Sequence, residues 1–191
     1  MGMRLLLMGP PGAGKGTQAV GIAQRLGVPH ISTGDIFRAN VSQGTPLGIE
    51  AQRYMEAGEY VPDSVTNAMV RDRIEQDDCH AGFLLDGYPR TLDQVGELDA
   101  MLRSDGHVLD RVVELTVDID EVVARLVKRA AEQGRADDTE DVIRRRLEVY
   151  AEQTAPLTSL YSERGILVQV DGMGAVGDVE ARILDALAIA V

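Results

Sequence analysis

The stretch Gly9-Pro10-Pro11-Gly12-Ala13-Gly14-Lys15-Gly16-Thr17 decides the reading of the fold. Gly9, Gly14 and Lys15 satisfy the spacing G-x-x-x-x-G-K, in which glycines let the backbone curl until successive N–H groups converge on an anion. The helix that follows such a loop adds its positive end. The context agrees. Residues 3 to 8 form a short apolar run that reads as a strand buried on both faces, stopped by Gly9-Pro10-Pro11-Gly12. The pattern beyond predicts a helix from about Gly14 to Leu26. A Gly/Pro-rich turn, or a dinucleotide turn read from Gly12-x-Gly14, would leave Lys15 and its placement unexplained.

Working outward, further apolar runs at Pro29 to Ile31, Phe83 to Leu85, Val112 to Val117 and Ile166 to Val170 each sit beside helical pattern. Five strands alternating with helices predict an α/β fold, a three-layer sandwich with a five-stranded parallel sheet. Leu92, Val95, Leu98 and Leu102 keep a 3.6 period, as do Val122, Val123, Leu126 and Val127, which suits helices covering a sheet. Two stretches lack a strand where strict alternation would place one: about Ser32 to Val61, and Arg129 to Asp138. Both read as insertions able to cover a site.

Gly16 stands where most phosphate loops put a Mg²⁺-binding hydroxyl, and the hydroxyl comes one residue later, on Thr17. A metal therefore needs another protein partner. Asp86 ends the Phe83-Leu84-Leu85 strand at the carboxyl edge of the sheet, where open α/β folds bind ligands, and can hold Mg²⁺ directly or through its water shell. The turn Gly87-Tyr88-Pro89-Arg90 aims an arginine at the same edge. Alone, an Asp before a turn is equally a helix cap; the loop at residues 9 to 17 favours the metal. In the run Arg144-Arg145-Arg146, helical geometry puts Arg146 in the apolar arc of Val142, Ile143, Leu147 and Tyr150 and turns the other two away. An arginine in such an arc snorkels or meets an anion. Arg129 and Arg135 bracket Gly134, where surface pairing with Asp137 and Asp138 is the plainer reading.

The bulk properties bound the rest. With 191 residues, 45% hydrophobic and 26% charged, the chain suits one folded domain with small appendages. A net charge of −12 excludes a general binder of nucleic acid or anionic membrane, so a phosphate site must be a local gathering of Arg, Lys and backbone N–H. Cys79 is the sole cysteine, which excludes an internal disulfide and a multi-thiolate metal site and points to a reducing, cytoplasmic setting. No apolar run approaches the ~20 residues that span a bilayer.

These motifs together resemble the adenylate kinases, over nearly the whole chain. The resemblance is carried by Gly9 to Thr17, Ser32-Thr33-Gly34-Asp35 with Arg38, Val61-Pro62-Asp63, Leu85 to Arg90, Gln94, and Gly134 to Asp138 ahead of Arg146. It implies one domain with a CORE at 1–31, 62–128 and 139–191, an AMP-binding insertion at 32–61 and a short lid at 129–138. It implies transfer of a phosphoryl group from ATP to AMP with Mg²⁺ as cofactor, in a monomer without structural zinc. Gly12, Ala13, Gly14, Lys15, Gly16, Thr17, Arg129 and Gly174 would bind ATP. Thr33, Arg38, Glu59, Tyr60, Val61, Gly87, Tyr88, Pro89, Arg90, Gln94, Arg135 and Arg146 would bind AMP. Lys15, Arg38, Arg90, Arg129, Arg135 and Arg146 would surround the transferring group. Relatives acting on UMP or CMP tend to carry Ala for Thr33 and Asn for Gln94, so adenine is favoured and a UMP/CMP kinase is the alternative. A regulatory nucleotide switch lacks support, since no Asn-Lys-x-Asp guanine signature occurs.

Overall fold

Five parallel strands, β1 (Arg4–Met8), β2 (His30–Ser32), β3 (Phe83–Asp86), β4 (Arg111–Thr116) and β5 (Leu167–Asp171), form one sheet in the order β2-β3-β1-β4-β5. The computed structural model describes residues 2–133 and 139–189. β1 and β3 are burial-rich along their whole length, with Leu5, Leu6, Leu7, Phe83, Leu84 and Leu85 all at 3% exposure or less, as a strand with helices on both faces requires. The pairing of Leu7 with Asp86 brings the C-terminal ends of β1 and β3 side by side. The loops leaving these two strands share one edge of the sheet, and a ligand site belongs there.

Two cores flank the sheet. On one face Leu6, Ile31, Phe83 and Leu85 pack with residues of α4 (Asp63–Ile74), α5 (Leu92–Ser104) and α8 (Pro156–Glu163), including Val70, Leu98, Leu157 and Tyr161. On the other, Leu5, Leu7 and Leu84 pack with Ala19 and Ile22 of α1 (Lys15–Leu26) and Val179 and Ile183 of α9 (Val176–Ile189). Alternate strand residues thus feed opposite layers, the arrangement that the period of two dictates.

The first stretch without a strand contains two helices, α2 (Thr33–Gln43) and α3 (Pro46–Ala57), closed by a small core of Phe37, Ala51 and Val61. Ser32 caps α2 through the Asp35 N–H, and Thr45 caps α3 with Pro46 at its first turn, so the sequence itself starts both helices. The second also lacks a strand among its described residues. α6 (Ile119–Gln133) runs through Arg129 without a break, so Arg129 is a helical residue. Gly134, Arg135, Asp137 and Asp138 lie outside the described residues. The chain resumes in α7 (Glu140–Val149), which passes into a π-turn at Tyr150–Thr154 and then α8.

Candidate active site

The loop from Gly9 to Gly14 leaves β1 and delivers the chain to the first turn of α1. Gly9, Gly12 and Gly14 all have positive φ, and the loop is tightened by Ala13 N–H donating to Pro10 O at 3.1 Å. A Cβ on Gly12 would stand 2.9 Å from Leu126 Cγ, so α6 can pack on the loop only because that position is glycine. α1 begins with no acidic residue in its first turn and no side-chain cap, whereas Ser32, Thr45 and Thr91 cap α2, α3 and α5. Its first N–H groups are left for a ligand.

Lys15 folds back over this loop, its Nζ donating to Gly9 O at 2.8 Å and Pro10 O at 3.1 Å. Removal from water lowers its pKa to about 8. Asp86 opposes the shift, and the positive charges of Arg90, Arg146 and Arg129 add to it. Three arginines from β3's following turn, α6 and α7 thus converge on one lysine in a chain whose net charge is −12. Such a gathering of positive charge favours an anion among its members.

The cleft above the sheet edge has two lobes. One, the loop lobe, is lined by Gly12 to Gln18, His30, Asp86, Arg125, Arg129, Gly172, Gly174 and Val176. The other, the insertion lobe, is lined by Thr33, Phe37, Met55, Glu59, Tyr60, Val61, Tyr88, Pro89, Gln94, Tyr150 and Thr154. Lys15, Arg38, Arg90 and Arg146 line both. Two ligands seated in the two lobes would meet across this wall of positive charge.

Every described residue assigned from sequence to ATP, AMP, the transferring group or the metal lines one or both lobes; Arg135 lies outside the described residues. Thr33 is 2% exposed and donates through Oγ1 to Gly87 O at 2.9 Å. Gly87 sits at φ +84°, where a Cβ would stand 2.7 Å from that same Oγ1 and 3.0 Å from an Arg90 guanidinium nitrogen. Arg90 donates from Nε to Gly87 O and lies over the Tyr60 ring at 5.0 Å. Tyr88 is buried and donates its hydroxyl to Asn67 Oδ1 at 2.9 Å, so its oxygen finds a partner within the fold. Arg38 pairs with Asp35 at 2.5 Å. Arg144 is exposed and paired with Glu140, as the helical arc predicts. Arg145 also lines neither lobe and reaches Glu59 at 2.5 Å, tying α7 to the end of the insertion, a partner that the helical arc does not reveal.

Asp86 is 7% exposed. Its Oδ2 lies 3.7 Å from His30 Nε2 and would lie 3.8 Å from a Cβ on Gly16, so the carboxylate looks straight at the first turn of α1. Among the described residues no three His, Cys, Asp or Glu side chains gather to hold a metal. One carboxylate beside a phosphate loop still fits Mg²⁺, which keeps several waters and takes other oxygens from substrate phosphates.

Several lining residues escaped the sequence reading. Gln18 is 4% exposed and donates to Val176 O at 3.0 Å, binding α1 to the segment that carries Gly174. Thr154 donates to Arg90 O at 2.8 Å and lies 2.6 Å from the Tyr60 hydroxyl. Neither sits in a local motif; each matters through residues 64 or more positions away. Asp63 belonged to a recognised stretch, yet nothing in that stretch says what its carboxylate touches.

A phosphate loop opening a parallel sheet, a carboxylate at the next strand end and a cationic wall between two lobes define a nucleotide-binding phosphotransferase. The family model for adenylate kinases matches residues 7–166. The chain is 66% identical over 185 residues to an adenylate kinase of Nocardioides sp., covering 97% of each. It is 64% identical over 184 residues to one of Kocuria rhizophila, covering 96% of this chain and 98% of the relative. Identity to one of Thermobifida fusca is 57% over 185 residues, covering 97% and 98%. The chain belongs to the adenylate kinase family.

Proposed function

We propose that this protein catalyses the reversible transfer of a phosphoryl group from ATP to AMP, giving two ADP, and so balances the adenine nucleotide pools. The observation that carries the reading is the shared wall: Lys15, Arg38, Arg90 and Arg146 line both lobes at once. A switch or a simple hydrolase has one nucleotide to hold and no use for a second lobe. The adenylate kinase relatives reach 66% identity, and the UMP/CMP alternative is not favoured.

In this reading the loop lobe takes ATP. The N–H groups from Gly12 to Thr17 bind its phosphates, with Arg129 and the backbone at Gly174 beside the nucleotide. The insertion lobe takes AMP, its base against Val61, Tyr88 and Gln94 and its phosphate toward Arg38 and Arg90, with the Glu59 to Val61 backbone, Thr33, Gly87 and Pro89 shaping the walls. An entering polyphosphate draws the Lys15 ammonium from the carbonyls of Gly9 and Pro10 onto phosphate oxygens. The phosphate of AMP is already an anionic nucleophile at neutral pH, so no general base is needed. The arginines align donor and acceptor and stabilise the negative charge that spreads in the transition state. Asp86 would hold Mg²⁺ directly or through its water shell, and the ion would supply charge neutralisation for the donor phosphates. The segment 129–138, with Arg135, acts as a short lid, and 32–61 as the AMP-binding insertion. The protein works as a cytoplasmic monomer without zinc; among the described residues no helix is long and apolar enough to cross a membrane.

A coupled assay of ADP formation with AMP, UMP and CMP as acceptors tests the reading. AMP should be preferred by a wide margin, and a pyrimidine preference would overturn it.

A further inference from the structure

We infer that Asp63 sets the base specificity of the insertion lobe by locking the orientation of the Gln94 amide. This rests on the reading of that lobe as the acceptor site.

Gln94 is the third residue of α5, is 1% exposed and lines the insertion lobe. Its amide is held at both ends. The Arg90 backbone N–H donates to Gln94 Oε1 at 2.7 Å, and Gln94 Nε2 donates to Asp63 Oδ1 at 2.7 Å. The second Asp63 oxygen, Oδ2, accepts from Thr91 Oγ1 at 2.9 Å, and that hydroxyl oxygen accepts the Gln94 N–H at 3.2 Å, which caps α5. Asp63 itself opens α4, where its negative charge suits the helix end. The carboxylate therefore joins the starts of two helices through Thr91 and through Gln94, an amide that lines the insertion lobe.

A backbone N–H can only donate and a carboxylate can only accept, so these two contacts admit one orientation of the amide and forbid the flipped one. Each end of the amide keeps one further position, a second N–H on Nε2 and a second lone pair on Oε1. The Gln94 side chain then offers an acceptor and a donor in a set order. Adenine presents its 6-amino donor beside the N1 acceptor, the complement of that order. Hypoxanthine presents a 6-oxo acceptor beside an N1–H donor, the same positions with the roles exchanged. A flipped amide would accept hypoxanthine as readily as the locked one accepts adenine. With Asp63 absent, only the Arg90 contact would oppose the flip. Asp63 does not meet the base in this arrangement and is a positioning residue.

The test compares AMP and IMP as acceptors at saturating ATP in wild type, Asp63→Ala, Asp63→Asn and Gln94→Ala. Freeing the amide should raise KM for AMP about tenfold, the cost of one lost buried hydrogen bond, with kcat at saturating AMP changed far less. The ratio of kcat/KM for IMP to that for AMP should rise by at least a similar factor in Asp63→Ala. In Asp63→Asn the introduced amide oxygen can still accept from Gln94 Nε2 while its nitrogen donates to Thr91 Oγ1, so this variant should restore discrimination. Should Asp63→Ala not fold, Asp63→Ser carries the same expectation, since serine suits a helix start and is too short to reach the amide. Equal losses for AMP and IMP in Asp63→Ala or Asp63→Ser, or no recovery in Asp63→Asn, would overturn the inference. If Gln94→Ala leaves the AMP preference intact, the reading of the lobe itself fails, a result separate from either of these.

Discussion

The two lobes of the cleft solve one problem by opposite means. The loop lobe offers backbone at its centre, with glycines at positive φ, an uncapped helix start and a lysine folded over them, and charged side chains such as Asp86, Arg125 and Arg129 around it. The insertion lobe is made of side chains fastened to one another, Thr33 to Gly87, Gln94 to Asp63, Thr154 to Arg90 and Tyr60 to Thr154. Backbone N–H groups recognise phosphate and ignore what it is attached to. A network of side chains can recognise a base, because donor and acceptor order is stored in amides and hydroxyls. The contrast teaches where specificity resides: substitutions in the loop lobe should reduce catalysis for every acceptor alike, and those in the insertion lobe should act on the acceptor.

The largest effect is expected from Lys15→Met, which should lower kcat roughly a thousandfold, as loss of a preorganised charge in a desolvated site does. Far-UV circular dichroism should stay unchanged. Near-normal turnover would break the comparison at its loop end. Next, Arg146→Ala should cost about a hundredfold in kcat, because Arg146 lines both lobes, whereas Arg144→Ala, on an exposed residue paired only along its own helix, should leave turnover near wild type. Equal effects would show that the arc does not separate them.

Gly87→Ala sharpens the comparison from the other side. Its Cβ would press on Thr33 and Arg90 from a backbone at φ +84°, strain of order 1–3 kcal/mol, so kcat/KM for AMP should fall about tenfold or more with KM for ATP little changed. A proportional rise in both KM values would mean that the lobes are not separable.

The pH dependence of ATP binding is a smaller effect and belongs to the loop lobe alone. Lys15 in the free protein has its pKa lowered to about 8, against 10.5 in the unfolded chain. The unfolded chain therefore holds the extra proton between these values, and the burial cost of the charged lysine, present in full below pH 8, is relieved as pH rises through that window. A bound polyphosphate favours the charged form and reverses this. ATP binding should be proton-neutral at Lys15 near pH 7, take up protons above about pH 8 and weaken as pH rises further. Calorimetry in buffers of different ionisation enthalpy measures the uptake, and Lys15→Met should abolish it. The smallest change should follow Glu59→Gln. It removes a half-exposed ion pair with Arg145 and should leave the thermal midpoint within error at moderate salt.

Much of this was legible in the amino-acid order, for a local physical reason. A phosphate loop is nine consecutive residues whose φ values and helix start are local properties, so Gly9 to Thr17 declare themselves in isolation. The five strands are short apolar runs between helical periods, and their observed bounds differ from the expected ones by at most one residue. Asp86 could be placed at the sheet edge because a strand end is a local event, and Arg146 could be separated from Arg144 because both obey one helical period. What only the tertiary structure decided are contacts between distant segments. The reach of Arg145 to Glu59, Gln18 to Val176, Thr154 to Arg90 and Asp63 to Gln94 spans from 31 to 158 positions, and no period or spacing encodes such meetings. The amino-acid order determined that a glycine-rich phosphate loop would open α1. Which way the Gln94 amide points was decided by folding, since an amide side chain has no preferred orientation until a donor on one side and an acceptor on the other choose it.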